Sequence, residues 1–443
     1  MSAPKRQAAR ESAARTYARS LPVVPVRARG LTIEGADGRR YLDCVSGAGT
    51  LALGHNHPVV LEAVRKVLDS GAPLQVMDLT TPVEDAFVTE LLRTLPPGLA
   101  DRARVRFCGP AGAEPLATAA GLVRAATGRN RVIAFTDAHG AVTEACADPG
   151  DVCSPRFERV PYPRERHRTS EDDGERGAEP APHWAESVLD DRRAGSVPPA
   201  GVILEAVRGE GGVLPVPDAW MRRVRRVTAD RSVPLIADET DTGVGWTGAF
   251  WAVGHSGVVP DVLVLSKAIG GSLPLAAVVH SDDFPAGESG AGAFRGNQLA
   301  LAAGAATLAH VREHRLAEHA AALGRGMLAR LSGLAAEFSC VGEVRGRGLM
   351  IGIELTAPDG PCDATGGGGA CPRTAAALRR ACLDRGLIVD VTGPSANVVG
   401  LRPPLIVTEE QTTAVLDRLT DALAAVDRDP GDHAAPRGTR APR

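Results

Sequence analysis

The sequence predicts an α/β fold, and three observations carry that prediction. Short apolar runs recur along the middle of the chain, at residues 132–135, 202–204, 235–237 and 262–265, after a strand-like segment at 104–108 that includes Arg104 and Arg106. Runs of about four to eight such residues, bounded by turn formers, read as buried strands. Stretches with apolar residues at helical spacing lie among them: 58–70, 83–95 and the basic segment 220–229. Finally, two of the runs end in ionisable residues. Leu235-Ile236-Ala237 ends in Asp238-Glu239, and Val262-Leu263-Val264-Leu265 leads to Lys267. A parallel sheet gathers its strand ends at one edge, and α/β proteins bind ligands there.

Lys267 is unusual in this chain. Lysine occurs three times, as Lys5, Lys66 and Lys267, among 50 lysines and arginines. Lys5 lies in a polar N-terminal stretch and Lys66 on the surface of a predicted helix. Lys267 follows the most apolar run and precedes Gly270-Gly271. An arginine stays protonated and cannot form a Schiff base, whereas a partly desolvated lysine amine can. A lysine at one strand end and an aspartate at the next form the minimal constellation for pyridoxal phosphate. The amine holds the aldehyde, and the carboxylate keeps the pyridine nitrogen protonated. Taken singly, Lys267 reads as a helix-start lysine and Asp238-Glu239 as a solvated strand end.

In order along the chain, residues 1–20 read as a helical arm, and 23–42 alternate apolar runs with turn signals, as a β-meander does. SGAGTLALGHNHP (46–58) is a glycine-rich loop. Its two histidines, without further ligands, make no metal site. The strand at 104–108 runs into GPAGAEPLATAAGLVRAATGR, a glycine-rich turn and then a helix. That is the geometry of a phosphate cup, with free N–H groups of the helix start aimed at an anion. Residues 145–198 show the weakest element pattern, and within them 161–183, charged and rich in turn formers, read as a surface excursion. A strand closes at 278–280. A long helix is predicted to begin in 293–314 and to continue through 316–338; further helices are predicted at 374–385 and 409–426, and strands at 344–354, 387–391 and 398–401. Residues 356–373 form a low-complexity loop, and residues from 427 on read as disordered.

Two segments carry a family resemblance. LIADETDTGVGWTG and LSKAIGGSLPLAAVV resemble the aspartate and lysine segments of class III aminotransferases. The likeness spans residues 10–426, and four further segments (46–58, 77–87, 294–308 and 401–411) resemble the diaminobutyrate:2-oxoglutarate branch of that family. The resemblance implies a fold type I transferase: a large domain with a mostly parallel seven-stranded sheet, and a small α+β domain. The implied boundaries are 1–69 for the N-terminal arm and part of the small domain, 70–310 for the large pyridoxal-phosphate-binding domain, 311–427 for the rest of the small domain and 428–443 for a disordered tail. It implies a ping-pong transaminase in which Lys267 is nucleophile and then base, and Asp238 holds the pyridinium proton. The cofactor would be bound by Ala111, Gly112, Ala113, Ala138, His139, Glu205, Asp238, Asp241, Lys267 and Ala293. Arg402 would take the substrate α-carboxylate, and Glu210 would pair with it when the other substrate is bound. Substrates are amino acids and 2-oxo acids, and the implied assembly is a homodimer or a higher homo-oligomer.

Composition sets outer limits. A chain of 443 residues holds a large domain and a smaller one. No apolar run is long enough to span a bilayer. The N-terminal stretch is basic and has no apolar core of a secretory signal. A net charge of −3 gives no electrostatic case for nucleic acid. The eight cysteines show no metal-site spacing and read as reduced thiols of a cytoplasmic protein.

The chain departs from the family pattern at six positions. Ala111 replaces a serine or threonine, Ala117 a glutamate, Ala138 an aromatic residue, Asp241 a glutamine, Trp246 an arginine and Ala293 a threonine. Each phosphate hydroxyl lost removes about 1.5–3 kcal/mol of charged hydrogen bonding. An anionic Asp241 would repel a phenolate. The departures leave two further readings open: another class III ω-amino acid transaminase or aminomutase, and a degenerate homologue that serves as a structural partner.

Overall fold

The computed structural model describes residues 21–76, 79–110, 113–135, 156–160, 162, 198–285, 296–356 and 370–428. The predicted N-terminal helical arm, most of the 356–373 loop and the C-terminal tail beyond Arg428 lie outside them.

The chain begins with an antiparallel meander, β1 (Pro25–Arg29), β2 (Thr32–Gly35) and β3 (Arg40–Asp43). Helices α1 (Pro58–Asp69) and α2 (Pro82–Leu92) follow. Both start with proline, whose fixed φ suits the first helical turn. The Thr81 hydroxyl also accepts the Glu84 N–H to cap α2. Then come β4 (Ala103–Cys108), α3 (Glu114–Thr127), β5 (Arg131–Phe135), β6 (Arg156–Val160), β7 (Gly201–Leu204), α4 (Asp218–Asp230), β8 (Leu235–Asp238), β9 (Val262–Leu265) and β10 (Ala276–Ser281).

These strands form one seven-stranded sheet in the order β4-β10-β9-β8-β7-β5-β6. Only β10 runs against the others, pairing antiparallel with β9 and β4. Alternate residues of the strands feed different cores. Ile203, Ile236, Val262, Val264 and Val278 pack with Leu116, Ala120 and Val123 of α3. Leu204, Leu235, Leu263 and Leu265 face the opposite layer, with Phe87 and Leu91 of α2 and Met221 and Val224 of α4. A sheet buried on both faces needs strands apolar at every position, which is why these runs do not alternate with polar residues.

β6 lies within 145–198, where the sequence pattern predicts no element; the surface excursion expected at 161–183 lies, apart from Tyr162, outside the described residues. Arg156–Val160 is the edge strand, parallel to β5, with Val160 buried and Phe157 packed against the core. Phe157 and Val160 face opposite cores, and the pattern between them is diluted by Arg156, Glu158 and Arg159, residue types that an edge strand accommodates.

Helix α5 (Gln298–Glu313) and helix α6 (Leu316–Glu337) are separate because Arg315 has a positive φ of 51°. The predicted single strand at 344–354 is a hairpin, β11 (Val341–Arg347) and β12 (Met350–Leu355), which turns at Gly348 with φ 56°. Helix α7 (Pro372–Asp384), strands β13 (Leu387–Ile388), β14 (Asp390–Thr392) and β15 (Val398–Leu401), and helix α8 (Glu409–Arg428) complete the chain. α8 carries Asp427 and Arg428 within its last turn, where the sequence predicts disorder. β11, β12, β15 and β14 form a second sheet, and β13 joins the N-terminal meander in parallel to β3. The N-terminal and C-terminal segments are thereby tied together beside the large sheet.

Cys44, Cys108, Cys340 and Cys382 are free and buried, but Cys371 is in a disulfide, contrary to the expectation that all eight cysteines are thiols. Among the described residues, no helix is long and apolar enough to cross a membrane.

Candidate active site

Three neighbouring strands of the large sheet deliver their ends to one edge. β7 leads to Glu205, β8 ends at Asp238, and β9 leads through Ser266 to Lys267. The register sets Ala237 beside Leu204 and Asp238 beside Val264, so the ends are nearly level.

Lys267 opens a one-turn 3-10 helix, Lys267–Gly270, and has a positive φ of 54°. A non-glycine residue in that region carries about 1–3 kcal/mol of strain, held in place by surrounding packing. Here the packing comes from Ala268 and Ile269, which are buried against α5. α5 can approach so closely because Gly304 has no side chain: a Cβ there would lie 2.2 Å from the Ile269 carbonyl oxygen.

The Lys267 ammonium donates to Asp241 Oδ1 at 2.5 Å. The same oxygen accepts from Arg402 Nη1 at 3.3 Å. The three side chains are 29%, 14% and 17% exposed, so this is a largely desolvated cation–anion–cation arrangement. Arg402 follows β15 and is held by the N-terminal segment. Its N–H donates to the Cys44 carbonyl at 2.7 Å, and its carbonyl accepts from the Ser46 hydroxyl at 2.8 Å. Gly49, with φ 86°, passes beneath the guanidinium, and a Cβ there would meet Arg402 Nη1 at 2.3 Å.

A cavity of about 110 Å³ opens over this network, lined among others by Ala48, Glu210, Asp241, Lys267, Thr392 and Arg402. Its walls come from the N-terminal segment, the large sheet and the C-terminal sheet. The Glu210 carbonyl accepts from the Thr392 hydroxyl at 3.2 Å and from the Gly393 N–H at 3.2 Å, which ties the large-sheet wall to the C-terminal wall.

The acids at this edge have divergent environments. Burial pushes the Asp241 carboxyl up, but the charges of Lys267 and Arg402, with their hydrogen bonds, outweigh it and hold it at about 2. Burial lowers Lys267, but Asp241 more than offsets that and leaves the ammonium favoured. Asp238 is raised, chiefly by burial, although the Thr240 N–H donates to it at 3.0 Å. Glu205 is raised well above the usual carboxylate range by burial and then by the nearby Asp238, Asp241 and Glu210. Such opposed shifts within one cleft mark sites built for proton chemistry or for binding charge.

Glu239, next to Asp238, points elsewhere. It is buried, accepts from the Val253 N–H at 2.8 Å and from the Thr242 hydroxyl, and is pushed up to about 7 by burial. Tyr162 has no counterpart in the sequence reading. Its hydroxyl accepts from the Glu205 N–H at 2.6 Å and donates to the Glu205 carbonyl at 3.2 Å. Its ring lies under the Arg208 guanidinium and beside Phe135 and Trp220. Only the tertiary fold brings it there, since 43 residues separate it from Glu205.

At the turn from β4 to α3, the Gly109 N–H donates to Glu114 Oε1 at 2.7 Å, and Ala113 is the N-cap of α3. Ala111, Gly112, Ala138, His139 and Ala293 lie outside the described residues. Trp246 is fully buried in the core and does not line the cavity.

The family model for class III aminotransferases, "Aminotransferase class-III", matches residues 13–423. The chain is 44% identical over 432 residues to a diaminobutyrate–2-oxoglutarate aminotransferase of Rhizobium meliloti, covering 95% of this chain and 91% of that one. It is 40% identical over 441 residues to the Haemophilus influenzae protein of the same name, covering 95% of each. Among solved structures, an (S)-enantioselective ω-transaminase from Thermomicrobium roseum superposes with a TM-score of 0.78 at 26% identity, covering 91% of this chain and 93% of that one. An amine transaminase from an uncultivated Pseudomonas species, solved in its PLP-bound form, gives a TM-score of 0.77 at 27% identity, covering 94% and 97%. With the mixed, mostly parallel seven-stranded sheet and the lysine at its carboxyl edge, this agreement over nearly the whole length means that the chain belongs to the class III aminotransferase family, with its fold type I architecture.

Proposed function

We propose that this chain is a pyridoxal-phosphate-dependent aminotransferase that moves an amino group between L-glutamate/2-oxoglutarate and L-aspartate 4-semialdehyde/L-2,4-diaminobutyrate. The observation that carries this reading is Lys267 Nζ at the carboxyl edge of the sheet, opening on a cavity that also holds the Arg402 guanidinium. The substrate pair follows from the names of the relatives at 44% and 40% identity.

The residues present fit the cofactor. When bound, pyridoxal phosphate supplies an aldehyde that condenses with amines and a protonated ring that draws electrons from the substrate α-carbon. Lys267 provides the amine, and its partly exposed position on the cavity wall lets that amine meet a ligand there. Asp238, raised by burial, is a carboxyl that a pyridinium cation would draw back to its charged form. The phosphate is assigned to Ala111, Gly112 and Ala113 through the family resemblance, and Ala113 is the N-cap of α3, while the Gly109 N–H is already taken by Glu114 Oε1. The freed Lys267 amine is the base that moves a proton from the substrate α-carbon, because its nucleophilic and basic roles come one after the other. Arg402 binds the α-carboxylate through its planar fork. Glu210, on the facing wall, supplies a negative charge for that arginine when the bound substrate offers none.

The working unit we infer is a homodimer. Among the described residues the exposed large hydrophobics are Val26, Leu68, Leu74 and Leu79, three of them within one short stretch, as a covered face would be. Sedimentation equilibrium should return about twice the chain mass of 45.9 kDa; a monomer would overturn the dimer reading.

The test of the activity is the absorbance of the purified protein with added pyridoxal phosphate, beside Lys267→Ala. A visible band in the parent, absent from the variant and bleached by L-glutamate, is the expected result. No band at saturating cofactor would remove the enzyme reading and leave the structural-partner reading.

A further inference from the structure

Asp241 occupies a position that decides how this site meets a carboxylate. One of its oxygens touches both cations of the cavity, Lys267 Nζ at 2.5 Å and Arg402 Nη1 at 3.3 Å. Both cations are fixed from behind. Lys267 sits on a short turn packed against α5, and Arg402 is pinned through its backbone to Cys44 and Ser46. The guanidinium cannot retreat toward the N-terminal segment, because Gly49 already lies against it. Asp241 is anchored on the same wall as the lysine, just after β8. The arginine nitrogen that already holds an internal carboxylate oxygen is not free for an external one.

We propose that Asp241 is a built-in stand-in for the carboxylate substrate: it holds one arm of the Arg402 fork, and a substrate carboxylate enters by displacing it. The proposal rests on the reading of Arg402 as the substrate-carboxylate group. It adds that this chain discriminates among substrates by how well their carboxylates compete with Asp241. A ligand with no carboxylate opposite Arg402 would leave the Asp241–Arg402 contact intact, with Glu210 as a second acid across the same cavity, while a dicarboxylate must break that contact. The apparent affinity for a competing ligand falls by the fraction of sites in which the fork is free. Neutralising Asp241 raises that fraction.

The probe is glutarate, a dicarboxylate with no amino or oxo group, so its binding can be read by calorimetry on the full chain freed of pyridoxal phosphate. Asp241→Asn keeps the shape and removes the charge. Asp241→Ser serves if the asparagine variant does not fold, as judged by circular dichroism. The expected result is about tenfold tighter glutarate binding in the Asp241 variant, with binding lost in Arg402→Gln. The gain should vanish when Asp241→Asn is made on the Arg402→Gln background, because a displaced competitor matters only where there is a fork to occupy. A gain that persists on that background would be a general field effect and would overturn the proposal. Unchanged or weaker binding in Asp241→Asn, with Arg402→Gln still impaired, would overturn it while sparing the reading of Arg402. Parent-like binding in Arg402→Gln would overturn both.

Discussion

Glu239 shows how much one buried carboxyl can contribute. Its free value is 4.5 and its folded value about 7, because burial penalises the charged form. Between those values the folded protein binds a proton that the unfolded chain has lost. This contribution to stability is complete below about 4.5 and is lost as pH rises through about 7. Glu239→Gln keeps an acceptor for the Val253 N–H and removes the titration. The parent's thermal midpoint is therefore expected to fall between pH 5 and 8 relative to the variant, by the equivalent of about 3 kcal/mol at most. Parallel pH profiles for the two proteins would show that Glu239 stays ionised in the fold. Gly49 is a steric counterpart. Alanine there would put a carbon 2.3 Å from Arg402 Nη1 at a backbone angle of 86°, which side chains rarely adopt. Gly49→Ala is expected to raise the KM for glutamate about tenfold or more while leaving cofactor absorbance in place, since the guanidinium must move and Lys267 need not. Steady-state kinetics beside the absorbance spectrum separate the two.

Among the secondary-structure elements, α5 matters most for the lysine. Its Gly304 lies against the Ile269 carbonyl and the Phe87 ring, so the helix acts as a backstop for the turn that carries Lys267. Helix propensity alone would favour alanine there by about 1 kcal/mol. The clash with a backbone oxygen works the other way and costs about 1–3 kcal/mol, since the carbonyl cannot rotate aside as a side chain could. Gly304→Ala is therefore expected to lower stability in urea unfolding by about 1–2 kcal/mol. A gain in stability would mean that the turn yields freely. The legibility of the elements follows their burial. β7, β9 and β8 up to its terminal Asp238 are apolar and stand out in the sequence as strands. β6 was hidden because its apolar residues are diluted by charge, and the β11–β12 hairpin was hidden because its turn rests on Gly348, one glycine among three close together. The break between α5 and α6 depends on a positive φ at Arg315, a residue type that gives no local warning of it.

Across the assembled chain, the cavity joins parts that are far apart in sequence. Residues 44–49, 209–213, 241, 267, 390–392 and 400–402 all reach it or its immediate wall. A ligand held there links the large sheet to the C-terminal sheet and to the N-terminal segment. Pyridoxal phosphate at a hundredfold excess over its dissociation constant is expected to add about 2.7 kcal/mol to stability, provided that it binds only the folded chain. A rise in thermal midpoint in the parent and a smaller rise in Lys267→Ala would fit that linkage; equal rises would mean that Lys267 adds nothing to cofactor binding.

By itself, the sequence determined the α/β class, the strands of the sheet centre and the candidacy of Lys267 and Asp238, whereas Arg402 stood out among many arginines only through the family resemblance of its segment. These are legible because continuous burial demands continuous apolar runs, and because a lysine is conspicuous where arginine carries nearly all the positive charge. It also marked Asp241 as a departure from the family pattern. Only the tertiary structure decided what Asp241 does. Its oxygen lies between an ammonium 26 residues away and a guanidinium 161 residues away, and their combined charge holds it near 2 against the burial that would raise it. The same holds for Tyr162 beneath Glu205 and for Gly49 beneath Arg402. Periodicity reports which face of an element is buried. Contacts between side chains on distant segments depend on how the elements pack, and that arrangement exists only once the sheets have come together.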